Sequence, residues 1–196
     1  MKEFKQFVNE LSKDWTLFLD RDGVINKRLP DEYVKTPSEF EFIEGVTESL
    51  RILSAFFGRI IIVTNQQGIG KQLMNEQMLN EVHNQMINDI IRAGGKIDRI
   101  YFCPDLITDV NNCRKPGSYM ALKAKLDFPE IDFTKSVMIG DSVSDIEFGK
   151  IVGMITIFIG CQSVKQNSDY VFKSLFDFTT KLKSDNDQSQ RKGVIC

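Results

Sequence analysis

Short apolar runs recur along the chain at 16–19, 60–63, 100–102, 137–139 and 155–159, each rich in Ile, Val, Leu or Phe. None alternates cleanly with polar residues, so each is expected to be a strand buried on both faces, as in a parallel sheet. Between them the apolar positions take helical spacing, which predicts helices at about 44–57, 75–93, 117–126 and 144–152. The second is best marked. Asn75 stands as N-cap, Leu79, Val82, Met86 and Ile90 form one stripe, and Gly94-Gly95 ends it. Strand and helix in regular alternation specify a doubly wound, Rossmann-like α/β fold with a mostly parallel sheet.

Two segments break the alternation, 26–40 and 104–112. Both follow strands and belong at the C-terminal edge of the sheet, where open α/β folds bind ligands, so both are read as specificity loops. Neither is long enough for a large cap domain. The expected organisation is a single domain over 1–183. A polar tail over 184–196, rich in Asp, Asn, Gln and Ser up to 192, is expected to be mobile.

Those strand ends carry the chemistry. The first leads into Asp20-Arg21-Asp22-Gly23, two carboxylates beside a residue that lets the chain turn. The second leads into Thr64-Asn65-Gln66-Gln67-Gly68, offering a hydroxyl, amides and flexible backbone N–H groups. Arg114-Lys115-Pro116 places two cations just before a helix, and the fourth strand ends in Gly140-Asp141-Ser142-Val143-Ser144-Asp145. Each alone reads equally well as a capped turn or a solvated loop. Together, consecutive strand ends deliver groups suited to phosphate and Mg²⁺ at one edge.

Composition narrows the setting. The chain has 196 residues, 25 Lys plus Arg and 27 Asp plus Glu, for a net charge of −2. That balance argues against a nucleic-acid or anionic-lipid surface, so phosphate binding must be local. The N-terminus has no apolar leader, and no stretch approaches the roughly 18 apolar residues that span a bilayer. A cytoplasmic, monomeric protein without a membrane or nucleic-acid partner is expected. Cys103, Cys113, Cys161 and Cys196 are too few and scattered for a disulfide scaffold, so reduced thiols are expected. The one histidine, His83, lies beside the apolar stripe of the 75–93 helix and reads as structural rather than catalytic.

The four motifs resemble those of the haloacid dehalogenase superfamily, and within it the small phosphatases acting on heptose bisphosphate and histidinol phosphate. Asn26, Tyr33-Val34, Phe42-Ile43-Glu44-Gly45-Val46 and Ile100-Tyr101-Phe102-Cys103-Pro104 extend the similarity to about residues 15 to 160. The resemblance implies a phosphatase with Asp20 as nucleophile and Asp22 as acid and base. It implies Thr64 and Lys115 on the phosphate oxygens, with Asp145 orienting Lys115. Mg²⁺ is implied at Asp20, Asp141 and the backbone carbonyl of Asp22. Asn26, Tyr33, Asn65, Gln66 and Arg114 are implied as substrate contacts, with a small phosphorylated metabolite as partner. D-glycero-D-manno-heptose 1,7-bisphosphate is the first candidate; histidinol phosphate and a polynucleotide 3′-phosphate are the alternatives. A phospho-accepting receiver domain is the non-enzymatic alternative, disfavoured because Asp22 stands ready to turn the phosphoenzyme over. Relatives commonly bind zinc through Cys-x-His and Cys-x-Cys. Here those positions read Cys103-Pro104-Asp105 and Asn111-Asn112-Cys113, so structural zinc is not expected.

Overall fold

The strand expected at 16–19 lies at the centre of the molecule. The computed structural model describes residues 3–30, 32–160 and 167–193. β1 (Thr16–Leu19) pairs on one side with β2 (Arg59–Asn65) and on the other with β4 (Ser136–Gly140). β3 (Arg99–Cys103) extends the sheet beyond β2, and β5 (Ile155–Ile159) and β6 (Tyr170–Phe172) extend it beyond β4. All the pairings are parallel, in the order β3-β2-β1-β4-β5-β6.

Burial on both faces follows from the unbroken apolar runs. Leu17, Leu19, Ile60, Ile62, Val137 and Ile139 face one core. It is covered by α1 (Phe4–Glu10), α2 (Val46–Phe56), α3 (Glu76–Arg92) and α6 (Leu175–Gly193). Phe18, Ile61, Val63 and Met138 point to the other face, beneath α4 (Tyr119–Asp127) and α5 (Val143–Val152). Each such side chain, fully removed from water, contributes about 1.5–3 kcal/mol. The α/β expectation and the four expected helices are therefore met, with boundaries shifted by a few residues.

Three elements were not foreseen: α1, β6 and α6. The segment expected as a mobile tail from 184 onward continues α6 as far as Gly193, and Asp185 within it is buried. Leu175, Phe178 and Leu182 are spaced by three and four and pack against the core, and Ser49 and Thr179 share a hydrogen bond of 3.1 Å between α2 and α6. The polar count of the segment masks this stripe. Residues 194–196 lie outside the described residues, as does Cys161.

α4 buries Met120, Ala121 and Ala124 and leaves Tyr119, Leu122 and Leu126 exposed. The monomer expectation rested on the lack of such a stripe and loses that ground. No helix among the described residues is long and apolar enough to cross a membrane.

Reduced cysteines are not what the structure holds: Cys103 and Cys113 form a disulfide. Cys103 ends β3, and the loop after it returns Cys113 to its side, tied by the Asp105 carboxylate accepting from the Cys113 N–H at 2.9 Å. Reduction should release two additional thiols. A thiol count in denaturant before and after reductant checks this; an unchanged count would remove the bond.

Candidate active site

The winding of the sheet reverses between β1 and β4, so a crevice opens where these two strands end. Asp20 and Asp141 stand at those ends. The Asp20 amide still donates to the Ile139 carbonyl at 2.9 Å, which keeps the two strand ends in step. Two glycines permit the close approach. Gly23 has φ +95°, and a β-carbon there would lie 2.0 Å from an Asp141 carboxylate oxygen. At Gly140 a β-carbon would lie 2.1 Å from Cβ of Asp145.

Lys115 enters the crevice from the loop before α4. Its ammonium donates to Asp20 Oδ1 at 2.8 Å and to the Val63 carbonyl at 2.8 Å, and it pairs with Asp145 Oδ1 at 2.6 Å. Asp145 Oδ2 accepts from the Ser142 hydroxyl at 2.6 Å and the Ser142 N–H at 3.0 Å, so one carboxylate both caps α5 and fixes the lysine. Burial works against charge on Lys115, but Asp145 and Asp20 outweigh it and raise its pKa.

Asn65 was expected against substrate. Its side chain lines the cavity and also clasps the Lys115 backbone, accepting from its N–H at 2.9 Å and donating to its carbonyl at 3.2 Å. Asn26 and Gln66, expected as substrate contacts, do not line the cavity. Both are buried and donate to Asp22, Asn26 to Oδ1 at 3.0 Å and Gln66 to Oδ2 at 2.8 Å. These amides satisfy buried charge within the site instead of facing the cavity.

Asp22 has a third partner. Nη2 of Arg21 lies 2.9 and 3.0 Å from its two carboxylate oxygens. Burial opposes ionisation of Asp22, but Arg21, Asn26 and Gln66 together overcome it and lower its pKa. Arg21 is itself fully buried, and its Nη1 donates to Nε2 of His83 at 3.1 Å. Neither Arg21 nor His83 was read as part of the site. Their contact spans 62 residues, and nothing local in the sequence marks it.

Asp20 and Asp141, unlike Asp22, are not fully compensated for their burial. Burial pushes Asp20 up to about 7, with Lys115 only partly offsetting it and Asp145 and Asp22 adding to it. Asp141 is pushed up to about 6, again chiefly by burial, with Arg28 opposing. Asp20, Asp141 and Asp145 bring ligand oxygens within 4.8 Å of one another. Asp145 is committed to Lys115 and Ser142, which leaves Asp20 and Asp141. A cation already spans part of the site: Nη2 of Arg28 lies 2.9 Å from Asp141 Oδ1 and 3.2 Å from the Asp22 carbonyl. Two carboxylates and a carbonyl, all hard oxygens, fit Mg²⁺.

Above these groups lies an open cavity of about 530 Å³. Arg28, Tyr33, Thr64, Asn65, Lys71 and Arg114 line it. The Thr64 hydroxyl accepts from Gln66 at 3.0 Å and keeps its own proton for a ligand. Of the two expected specificity loops, only 26–40 lines the cavity. The 104–112 loop supports it, with the Asp105 carbonyl accepting from Arg114 Nη1 at 3.2 Å.

Residues 112–177 match the model of the HAD-hydrolase-like family. A D-glycero-α-D-manno-heptose-1,7-bisphosphate 7-phosphatase of Campylobacter jejuni is 36% identical over 87% of this chain and 97% of that one. The chain belongs to the HAD-like hydrolases. With relatives of this identity being phosphatases, it is a phosphoric monoester hydrolase, and the expected superfamily is correct. A Rhodopseudomonas palustris relative named for the β anomer is 35% identical over 70% of this chain and 78% of that one. Among solved HAD-like hydrolases, the D,D-heptose 1,7-bisphosphate phosphatase of B. bronchiseptica, complexed with magnesium and phosphate, superposes with a TM-score of 0.79. It is 25% identical, covering 87% of this chain and 98% of that one.

Proposed function

We propose that this HAD-like phosphatase removes the 7-phosphate of D-glycero-D-manno-heptose 1,7-bisphosphate through an aspartyl phosphate on Asp20. The observation that carries the reading is the pairing of a buried carboxylate, Asp20, with three cations on the cavity wall beyond it. Lys115 meets the nucleophile, while Arg28, Lys71 and Arg114 line the same cavity and suit a second phosphate. The relatives' names supply the sugar. Arg28, Lys71 and Arg114 outnumber Glu32 on that wall, which disfavours histidinol phosphate, whose amine would face net like charge.

Asp22, ionised in the free site, takes up a proton as the anionic substrate enters; an Asp20 oxygen then attacks phosphorus in line as the bond to the sugar oxygen breaks, and Asp22 gives that oxygen the proton. Asp22 then takes a proton from the water that attacks the acyl phosphate, releasing inorganic phosphate and restoring Asp20. Thr64 and Lys115 donate to the non-bridging oxygens, where charge is held through both transfers. Asp20, Asp141 and the Asp22 carbonyl would hold Mg²⁺, which when bound would neutralise charge between the anionic nucleophile and the anionic substrate. Arg28, now against Asp141 and the Asp22 carbonyl, would have to give up these contacts to a metal there, and it lines the cavity where the distal phosphate would lie.

Phosphate release across both heptose bisphosphate anomers, heptose 7-phosphate, histidinol phosphate and a 3′-phosphorylated oligonucleotide tests the substrate. A kcat/KM for one bisphosphate anomer at least about tenfold above all the others is expected, since one lost anion contact is worth on the order of 1.5–3 kcal/mol. Equal rates on bisphosphate and monophosphate would remove the role of the outer cations.

Metal and pH are linked through the raised carboxylates. Between the ordinary value of 3.8 and the raised values, the native protein holds more protons than the unfolded chain. Metal-free stability due to Asp20 and Asp141 therefore falls as pH rises from about 4 to about 7. Mg²⁺ relieves the repulsion only when they are ionised. The gain in Tm on adding Mg²⁺ should be larger near pH 8 than near pH 5, and Asp141→Asn should flatten the difference. An equal gain at both pH values would speak against a metal at these carboxylates.

A further inference from the structure

We propose that His83 is a positioning residue for the acid/base group, acting through Arg21. The inference rests on Asp22 serving as acid and base. Arg21 precedes Asp22 in the chain, and a guanidinium that grips its own neighbour has no independent reference in the fold. His83 supplies one from α3. Its Nε2 accepts from Nη1 of Arg21 at 3.1 Å, while Nη2 of the same guanidinium holds both oxygens of Asp22. The fork is thereby fixed at one end by a helix of the core and at the other by the carboxylate.

The chemistry of the contact requires a neutral ring. Arg21 has only donors to offer, so Nε2 must present its lone pair and the proton must sit on Nδ1. A charged imidazolium would face a buried cation. His83 is 5% exposed, and burial together with Arg21 holds its pKa down at about 3, so the ring stays an acceptor. The Phe102 ring, 6.4 Å away between centroids, packs beside it. Without the acceptor, Arg21 Nη1 would be left as a buried, unsatisfied donor on a cation. The guanidinium would then turn toward another partner and carry Asp22 with it.

A core-filling histidine and a positioning one differ in how their loss depends on the leaving group. Departure of a sugar oxygen needs a proton from Asp22; departure of p-nitrophenolate does not. kcat/KM reports the steps through phosphoenzyme formation, so it isolates the protonation. His83→Leu should lower kcat/KM for the sugar phosphate by about tenfold or more, part of the 10²–10⁴-fold worth of a general acid. For p-nitrophenyl phosphate the loss should stay within about threefold. His83→Gln, which keeps an acceptor, should recover most of the sugar-phosphate rate. His83→Asn, too short to reach, should not, and it carries the test if the leucine variant does not fold. Equal losses on both substrates, or no rescue by glutamine, would overturn the proposal. Asp22→Asn serves as reference. If it too shows no leaving-group dependence, the acid/base reading of Asp22 has failed; if it does and His83→Leu does not, only the role of His83 has failed.

Discussion

Asp20→Asn should abolish turnover, lowering kcat by about 10⁴-fold or more, the scale of loss when a covalent nucleophile is removed. The amide is nearly isosteric and still accepts from Lys115, so the fold should survive. Stability should even rise slightly at neutral pH, because a carboxylate pushed up to about 7 by burial is replaced by a neutral group. Phosphate release with a folded protein measured side by side checks both halves. Residual activity within about tenfold of the native protein would mean that phosphorus is attacked by something other than Asp20.

Lys115→Met should be costly in a different way. Lys115 pairs with both Asp20 and Asp145, and its side chain and theirs are nearly inaccessible to water. Methionine fills the space and leaves two buried carboxylates facing each other. Removing one partner of a buried ion pair costs about 3–5 kcal/mol, and here one substitution strips two pairs. Urea unfolding should show a loss of that order, and adding Asp145→Asn should recover part of it. A loss under about 1 kcal/mol would mean that the ion triad contributes little beyond its volume.

The positions of Asp20, Thr64, Lys115, Asp141 and Asp145 were legible in the sequence because each belongs to a motif at or beside the sheet's C-terminal edge. Apolar runs locate the strands, and a parallel sheet brings their ends to one side. The partners of these groups were less legible. Asn26 and Gln66 are polar residues at the same edge, and from sequence they read as substrate contacts. In the fold their amides go to Asp22, because buried charge must be satisfied before a ligand arrives. Arg21 and His83 lie beyond local reading altogether, since their contact joins a strand end to the middle of α3. α6 was hidden by composition: its buried Leu175, Phe178 and Leu182 sit among Asp, Asn, Gln, Ser and Lys. The Cys103–Cys113 bond was missed because scattered cysteines in such a chain are more often free thiols.

A rapid acid quench during turnover, followed by mass spectrometry of the peptide that contains Asp20, tests the central claim most directly. One phosphoryl group on Asp20, formed within the first turnover and lost again as substrate runs out, is the expected result. Steady phosphate release with no phosphorylated Asp20 at any time, under conditions that preserve an acyl phosphate, would contradict it.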